Sequence, residues 1–158
     1  MTNRNKHGGL NLLSLWKKLA RLPFGGWLFS WFLGRMAPYS GTIRARIEQF
    51  SEGRAVVSMP DRKKNRNHLR SLHAIALINL GEIATGLAVL STVDGRGRGI
   101  VTGLRMEYLK KARGKITATA TVDLDVGNGE HIIDGELANE AGEPVAVIYA
   151  TWQIEVFS

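Results

Sequence analysis

Leu72-His73-Ala74-Ile75-Ala76-Leu77-Ile78-Asn79-Leu80-Gly81-Glu82-Ile83-Ala84-Thr85-Gly86-Leu87-Ala88-Val89-Leu90, residues 72–90, is the stretch that decides how this chain folds. It has the length of a helix and no polar face. Ile75, Leu77, Ile78, Leu80, Ile83, Leu87, Val89 and Leu90 cover every direction of a 3.6-residue repeat. A helix that is apolar all round has to be enclosed by the rest of its domain.

On both sides of it the pattern is that of strands. Ile43, Ala45 and Ile47 alternate with Thr42, Arg44, Arg46 and Glu48. Glu52-Gly53 marks a turn, and Ala55, Val57 and Met59 continue as a second strand. Asp61 to Asn67 is polar and basic and reads as a loop. After the helix, Asp94 to Gly99 reads as a flexible connection. Four more strands follow. The first carries Ile100, Leu104, Met106 and Tyr108. In the second, Ile116, Ala118, Ala120, Val122 and Leu124 alternate strictly with polar residues. The third runs from about Glu130 to Ala138. In the last, Ala146, Ile148, Ala150, Trp152 and Ile154 share a face. The short links predict antiparallel neighbours. Six strands with one enclosed helix after the second predict an α+β domain whose antiparallel sheet wraps the helix, the hotdog arrangement.

The 158 residues suffice for one domain with a real core. Residues 38–158 are expected to form it, with residues 1–37 as a helical extension. The absence of cysteine excludes disulfides and thiolate chemistry. A net charge of +7 favours a polyanionic partner: nucleic acid, an anionic membrane surface or a phosphate-bearing molecule. There is no zinc-finger spacing, Walker loop or aromatic-rich RNA signature.

Chemistry concentrates at the start of the enclosed helix and within it, in Asn67, His68, His73, Asn79 and Glu82. Glu82 has Leu80, Ile83, Ala84 and Gly86 around it in sequence. Burial would raise its pKa and suit it to act as a general base near neutral pH. Pairing with an arginine for structural reasons is the equal alternative.

The run from Asn67 to Glu82 resembles the helix-start motif of hotdog thioesterases of the phenylacetyl-CoA (PaaI-like) type: an Asn, a His six residues later, and an acidic residue nine beyond the His. Asn67, His73 and Glu82 keep both spacings. The chain is most similar to the branch catalogued as a domain of unknown function, DUF4442. The likeness runs from Pro38 to Ile154 and includes Gly99 to Gly103 and Glu107 to Ala112. It implies that Glu82 activates water, or attacks directly, at a thioester carbonyl. It implies that Asn67 polarises that carbonyl or places the water, and that the N–H of Ala74 helps form an oxyanion hole, where a helix N-terminus favours negative charge. Ala74 and Ile75 stand where better-characterised members have Gly-Gly, which narrows the approach. Thr102 is the candidate for the hydroxyl some members carry on the following strand. The implied substrate is an acyl-CoA, with no cofactor beyond the coenzyme A of the substrate itself and no metal.

Helix geometry adds an independent point. Ala74 and Glu82 are eight residues apart, about 12 Å along the axis. One subunit cannot easily bring both to one carbonyl, whereas two antiparallel helices from two subunits can. A homodimer, or a dimer of dimers, with sites at the interface is therefore expected. Lys110, Lys111 and Arg113, with Lys115, form a basic hairpin that is either a solvated turn or a grip on CoA phosphates. A non-catalytic acyl-CoA or lipid-binding module on the same fold is the first alternative function. A basic adaptor for nucleic acid or a membrane surface is the second.

The N-terminal region has two apolar segments. From Leu10 to Leu22, Leu12, Leu15, Trp16 and Leu19 share a helical face, opposite Ser14, Lys17, Lys18 and Arg21. A second segment runs from Phe24 to Met36 and ends before Pro38. Both are expected to pack on the domain; the sharper reading is contact with a membrane surface, or a cover for the acyl pocket. Residues 22–33 loosely resemble a signal peptide, but Pro23, Gly25 and Gly26 interrupt the run and no small-x-small site follows, so a cytoplasmic location is expected. Residues 1–9 are polar and expected to be disordered.

Overall fold

The computed structural model describes residues 11–93 and 95–157, so the expectation for residues 1–9 lies outside the described residues. Three helices precede the sheet: α1 Leu12–Leu19, α2 Gly25–Met36 and the single turn α3 Pro38–Gly41. Next come β1 Arg46–Ser51, β2 Arg54–Met59, a 3-10 turn at Lys63–Asn65, and the central helix α4 Ala74–Val93. The remaining strands are β3 Gly97–Tyr108, β4 Ile116–Thr121, β5 Gly129–Ala138 and β6 Pro144–Val156.

The six strands form one antiparallel sheet in the order β1-β2-β4-β5-β6-β3. The sheet curls around α4, which buries Leu77, Leu80, Ala84, Leu87, Ala88 and Val89 against it. α4 is long and apolar enough to cross a membrane by length and composition, yet most of it is enclosed here. Small residues let the helix approach the strands closely. A Cβ added at Gly81 would lie 2.7 Å from Cδ1 of Ile148, and one at Gly86 would lie 2.9 Å from the Trp152 ring. That ring is held in turn by a 3.3 Å hydrogen bond from its Nε1 to the Thr85 hydroxyl. Gly81→Val should therefore lower stability by about 1–3 kcal/mol through overpacking, read as an earlier midpoint in urea with an unchanged slope.

α1 and α2 share the core with the sheet. Phe29 of α2 is fully buried, edge-on to Trp16 of α1 at 5.2 Å and beside Phe50 of β1 at 6.0 Å. Asn11 caps α1 by accepting the Ser14 N–H at 2.7 Å.

Strand positions differ from expectation in three places. The first strand begins at Arg46 rather than near Thr42, because residues 38–41 complete a helical turn and Arg44 has left-handed backbone (φ 54). Ile43 is buried even so. β2 is buried on both faces: Ser58 points away from Val57 and donates to the Glu48 carboxylate at 2.6 Å. β3 starts at Gly97, inside the expected connection, and it is an edge strand. Its Ile100, Leu104 and Tyr108 are exposed rather than packed, and a register shift falls between Val101 and Gly103.

Candidate active site

The start of α4 is built by the loop that precedes it. Asn65 is buried; its side-chain NH2 donates to the carbonyls of Ile43 (3.0 Å) and Pro60 (3.2 Å), and its backbone carbonyl accepts the His73 N–H (2.8 Å). Asn67 closes the next turn. Its Oδ1 accepts from the N–H groups of Leu69 (2.9 Å) and Ser71 (3.2 Å) and from the Ser71 hydroxyl (3.2 Å). The oxygen is thus occupied, and the amide NH2 is the part of the side chain left to donate to a ligand.

His73 is the residue before the helix. Its ring Nδ1 accepts the Ile75 N–H at 3.1 Å, and its carbonyl accepts the Leu77 N–H. This is N-capping by an exposed imidazole, which satisfies one of the free donors of the first turn. The Ala74 N–H has no acceptor among the described residues, so it remains a donor at the positive end of the helix.

A cavity of about 270 Å³ lies at this end, lined by Asn67, Ser71, Leu72, Ala74, Leu77, Tyr108, Leu109, Lys110, Lys111 and Ala112. It brings together Asn67, Ala74, Lys110 and Lys111, four of the residues singled out from sequence. Arg113 is exposed on the same loop but outside the lining. Lys110 is 3.4 Å from Glu143, and Lys115 is 2.8 Å from Glu48, so half of the basic hairpin has carboxylate partners. The sequence places Tyr108 on a strand and gives it no role at the site. Its hydroxyl donates to the Ala74 carbonyl at 3.1 Å, which ties the end of β3 to the helix start, and burial raises its pKa. Its place in the Glu107–Ala112 run was the only sequence signal for it.

Glu82 and Thr102 do not line this cavity. Glu82 lies two turns further along α4, about 12 Å from Ala74. It is partly buried, its carboxylate has neither hydrogen bond nor ion pair among the described residues, and loss of hydration alone raises its pKa. Among the described residues no arginine pairs with it, as the structural alternative would require. Thr102 sits exposed on β3, its hydroxyl donating to the Thr151 carbonyl at 3.3 Å.

A second, larger cavity of about 740 Å³ opens on the other side of the helix start. Arg44, Arg62, Lys64, Arg66 and His73 lie on its walls with Ile75, Ala76 and Asn79. Asn79 is buried, and its Oδ1 has no hydrogen-bond partner among the described residues. Among the described residues, no group of three or more His, Asp or Glu is placed to hold a metal ion.

One long helix wrapped by a six-stranded antiparallel sheet, with polar groups gathered at the helix start, defines a hotdog-fold protein. The chain belongs to the family described as a domain of unknown function, DUF4442, whose model matches residues 25–154. No curated protein matches it. Among solved structures, a structural-genomics protein is similar at TM-score 0.80 and 26% identity, covering 92% of this chain and 98% of that one. A Pseudomonas aeruginosa protein of unknown function, described as a probable thioesterase, is similar at TM-score 0.74 and 26% identity over 85% of this chain and 97% of its own. A Staphylococcus aureus thioesterase is similar at TM-score 0.68 and 26% identity over 75% of this chain and 98% of its own. The latter has been solved with a glutamine changed to alanine and, separately, with a glutamate fifteen positions further on changed to alanine. Asn67 and Glu82 are also fifteen positions apart.

Proposed function

We propose that this protein hydrolyses an acyl-CoA thioester, with Glu82 as the general base and the Ala74 N–H and Asn67 amide as the carbonyl-binding donors. The observation that carries this reading is Glu82 itself: an unpartnered carboxylate, partly buried on an apolar helix, with its pKa raised by lost hydration. A protein does not keep such a group for stability, because burying it without a partner is costly. Similarity to proteins described as thioesterases supports the same chemistry.

The site is completed by a second subunit. β3 is a twelve-residue edge strand with Ile100 and Leu104 exposed, and Ile75, Ile78 and Ile83 of α4 are not fully covered around Glu82. An exposed, long, apolar edge is a template for pairing with another chain. In a two-fold dimer so formed, antiparallel α4 helices set Glu82 of one protomer against the Asn67–Ala74 end of its partner. There the carboxylate takes a proton from water as the water attacks the carbonyl, and the developing oxyanion is held by the Ala74 N–H and Asn67 amide; as the intermediate collapses the C–S bond breaks, the proton passes from Glu82 to the departing CoA sulfur, and the free acid remains.

The test is release of free CoA from a panel of acyl-CoAs of varied chain length. Turnover of none of them would overturn the reading in favour of a binding module on the same fold. Lys111 and Arg113, which have no carboxylate partner among the described residues, would grip the CoA phosphates beside Lys110. CoA affinity should then fall as salt rises, and fall further when Lys110, Lys111 and Arg113 are all changed to Glu. Titration calorimetry of that variant should show at least about a tenfold weaker binding; an unchanged affinity removes the hairpin from the site.

A further inference from the structure

The positive charge of this protein is not spread over it. Eight of its 21 Lys and Arg residues precede Glu48, and no Asp or Glu does; the other 13 are balanced by 14 carboxylates. The whole net charge of +7 thus belongs to the segment that carries the N-terminal helices.

The same helices expose apolar surface that the fold does not use. α2 is apolar on all sides, yet only its inner side is covered. Phe29, locked between Trp16 and Phe50, fixes which face points inward. The outer face presents Trp27 (56% exposed), Leu28 and Trp31 (54%), and the turn before it presents Leu22 and Phe24 (85%). Phe24 stands in left-handed backbone (φ 62), a conformation that is costly for a bulky residue. Basic side chains border this face. Lys17, Lys18 and Arg21 are exposed at the end of α1, and the Arg35 guanidinium lies 5.8 Å from the centre of the Trp31 ring.

We infer that the outer face of α2 and the α1–α2 turn dock this protein on the surface of an anionic lipid bilayer. Aromatic rings settle at the headgroup level, where an apolar body and a polar edge are both satisfied, and neighbouring cations are drawn to the negative surface potential. α2 lies in the interface rather than across it: its 12 residues rise about 18 Å, short of the roughly 30 Å hydrocarbon core. The inference stands apart from the thioesterase reading, and its test needs no substrate.

The full chain is sedimented with vesicles of phosphatidylcholine alone and with vesicles containing about one third phosphatidylglycerol. The expected result is binding to the anionic vesicles only, reversed by high salt, with a blue shift of tryptophan emission. Changing Lys17, Lys18 and Arg21 together to Gln should weaken partitioning on the order of a hundredfold, the effect of removing three cations next to a membrane. Trp27→Gln with Trp31→Gln should abolish the blue shift. All these side chains are exposed, and an unchanged circular dichroism spectrum verifies that the variants are folded. The inference is overturned if the wild type ignores both vesicles, or if neither set of changes alters its binding. It is equally overturned if the protein ignores vesicles while the Trp27→Gln, Trp31→Gln variant dissociates an assembly in sedimentation equilibrium, which makes the face an interface between copies. Capture of a DNA duplex in place of vesicles overturns it as well.

Discussion

Glu82→Gln should leave the fold intact and lower thioester hydrolysis at least about a hundredfold, the scale of losing a positioned general base. Glutamine keeps the shape and the polarity of the side chain but cannot take a proton from water. The loss should appear in kcat rather than in KM, because the carboxylate acts on the attacking water and not on the bound thioester. The pH profile adds a signature. Lost hydration raises the Glu82 pKa, so wild-type activity should decline on the acid side at a pH above that of an ordinary glutamate. Stability should move the other way. Because the folded-state pKa lies above the unfolded one, the native state binds the proton more tightly. The cost of the buried carboxylate is absent below the unfolded pKa and fully present above the folded one. Glu82→Gln removes that cost, so at neutral pH the variant should unfold no earlier than wild type. A variant that hydrolyses acyl-CoA as fast as wild type would show that Glu82 is not the base.

Much of the fold could be read from residue pattern because the pattern is extreme. Twenty residues as apolar as α4 call for enclosure in a domain or a membrane, the surrounding strand pattern favours the domain, and the strict alternation of β4 left one choice of inward face. Reading failed where a residue's environment is set from outside its own segment. Ile100 and Leu104 look like inward residues in sequence; Ile100 pairs with Gln153 on the outer face, and the register shift after Val101 sets Leu104 opposite buried Ala150, where it is left open because β3 is the edge of the sheet. Ser58 looks like an outward residue and is buried, held by Glu48 from the neighbouring strand. Arg44 gives no sign in sequence of the left-handed backbone that delays β1.

The candidate site divides in the same way. That Asn67 and His73 precede α4, that Ala74 begins it and that Glu82 lies two turns along it was legible from pattern and spacing. Their bonding was not. That His73 is the cap of α4, and that Asn67 spends its oxygen on its own turn, depend on loop geometry that no periodicity encodes. Tyr108 reaches Ala74 from a strand 34 residues away. Such a contact exists only once the sheet has wrapped the helix.

The central claim is that each active site draws on two chains, and mixing two inactive variants tests it most directly. Asn67→Ala and Glu82→Ala should each be inactive alone. Refolded together, they form mixed dimers in which one interface carries both lesions and the other carries none. Random pairing makes half the dimers mixed, and each has one intact site of two, so activity should return to about a quarter of wild type. Subunit exchange is verified by tagging the two variants differently and isolating the doubly tagged dimer, which by itself should show about half the wild-type activity per dimer. A site contained within one subunit predicts no recovery, because every chain is then defective. A doubly tagged, folded dimer that stays inactive beside an active wild type would contradict the shared site.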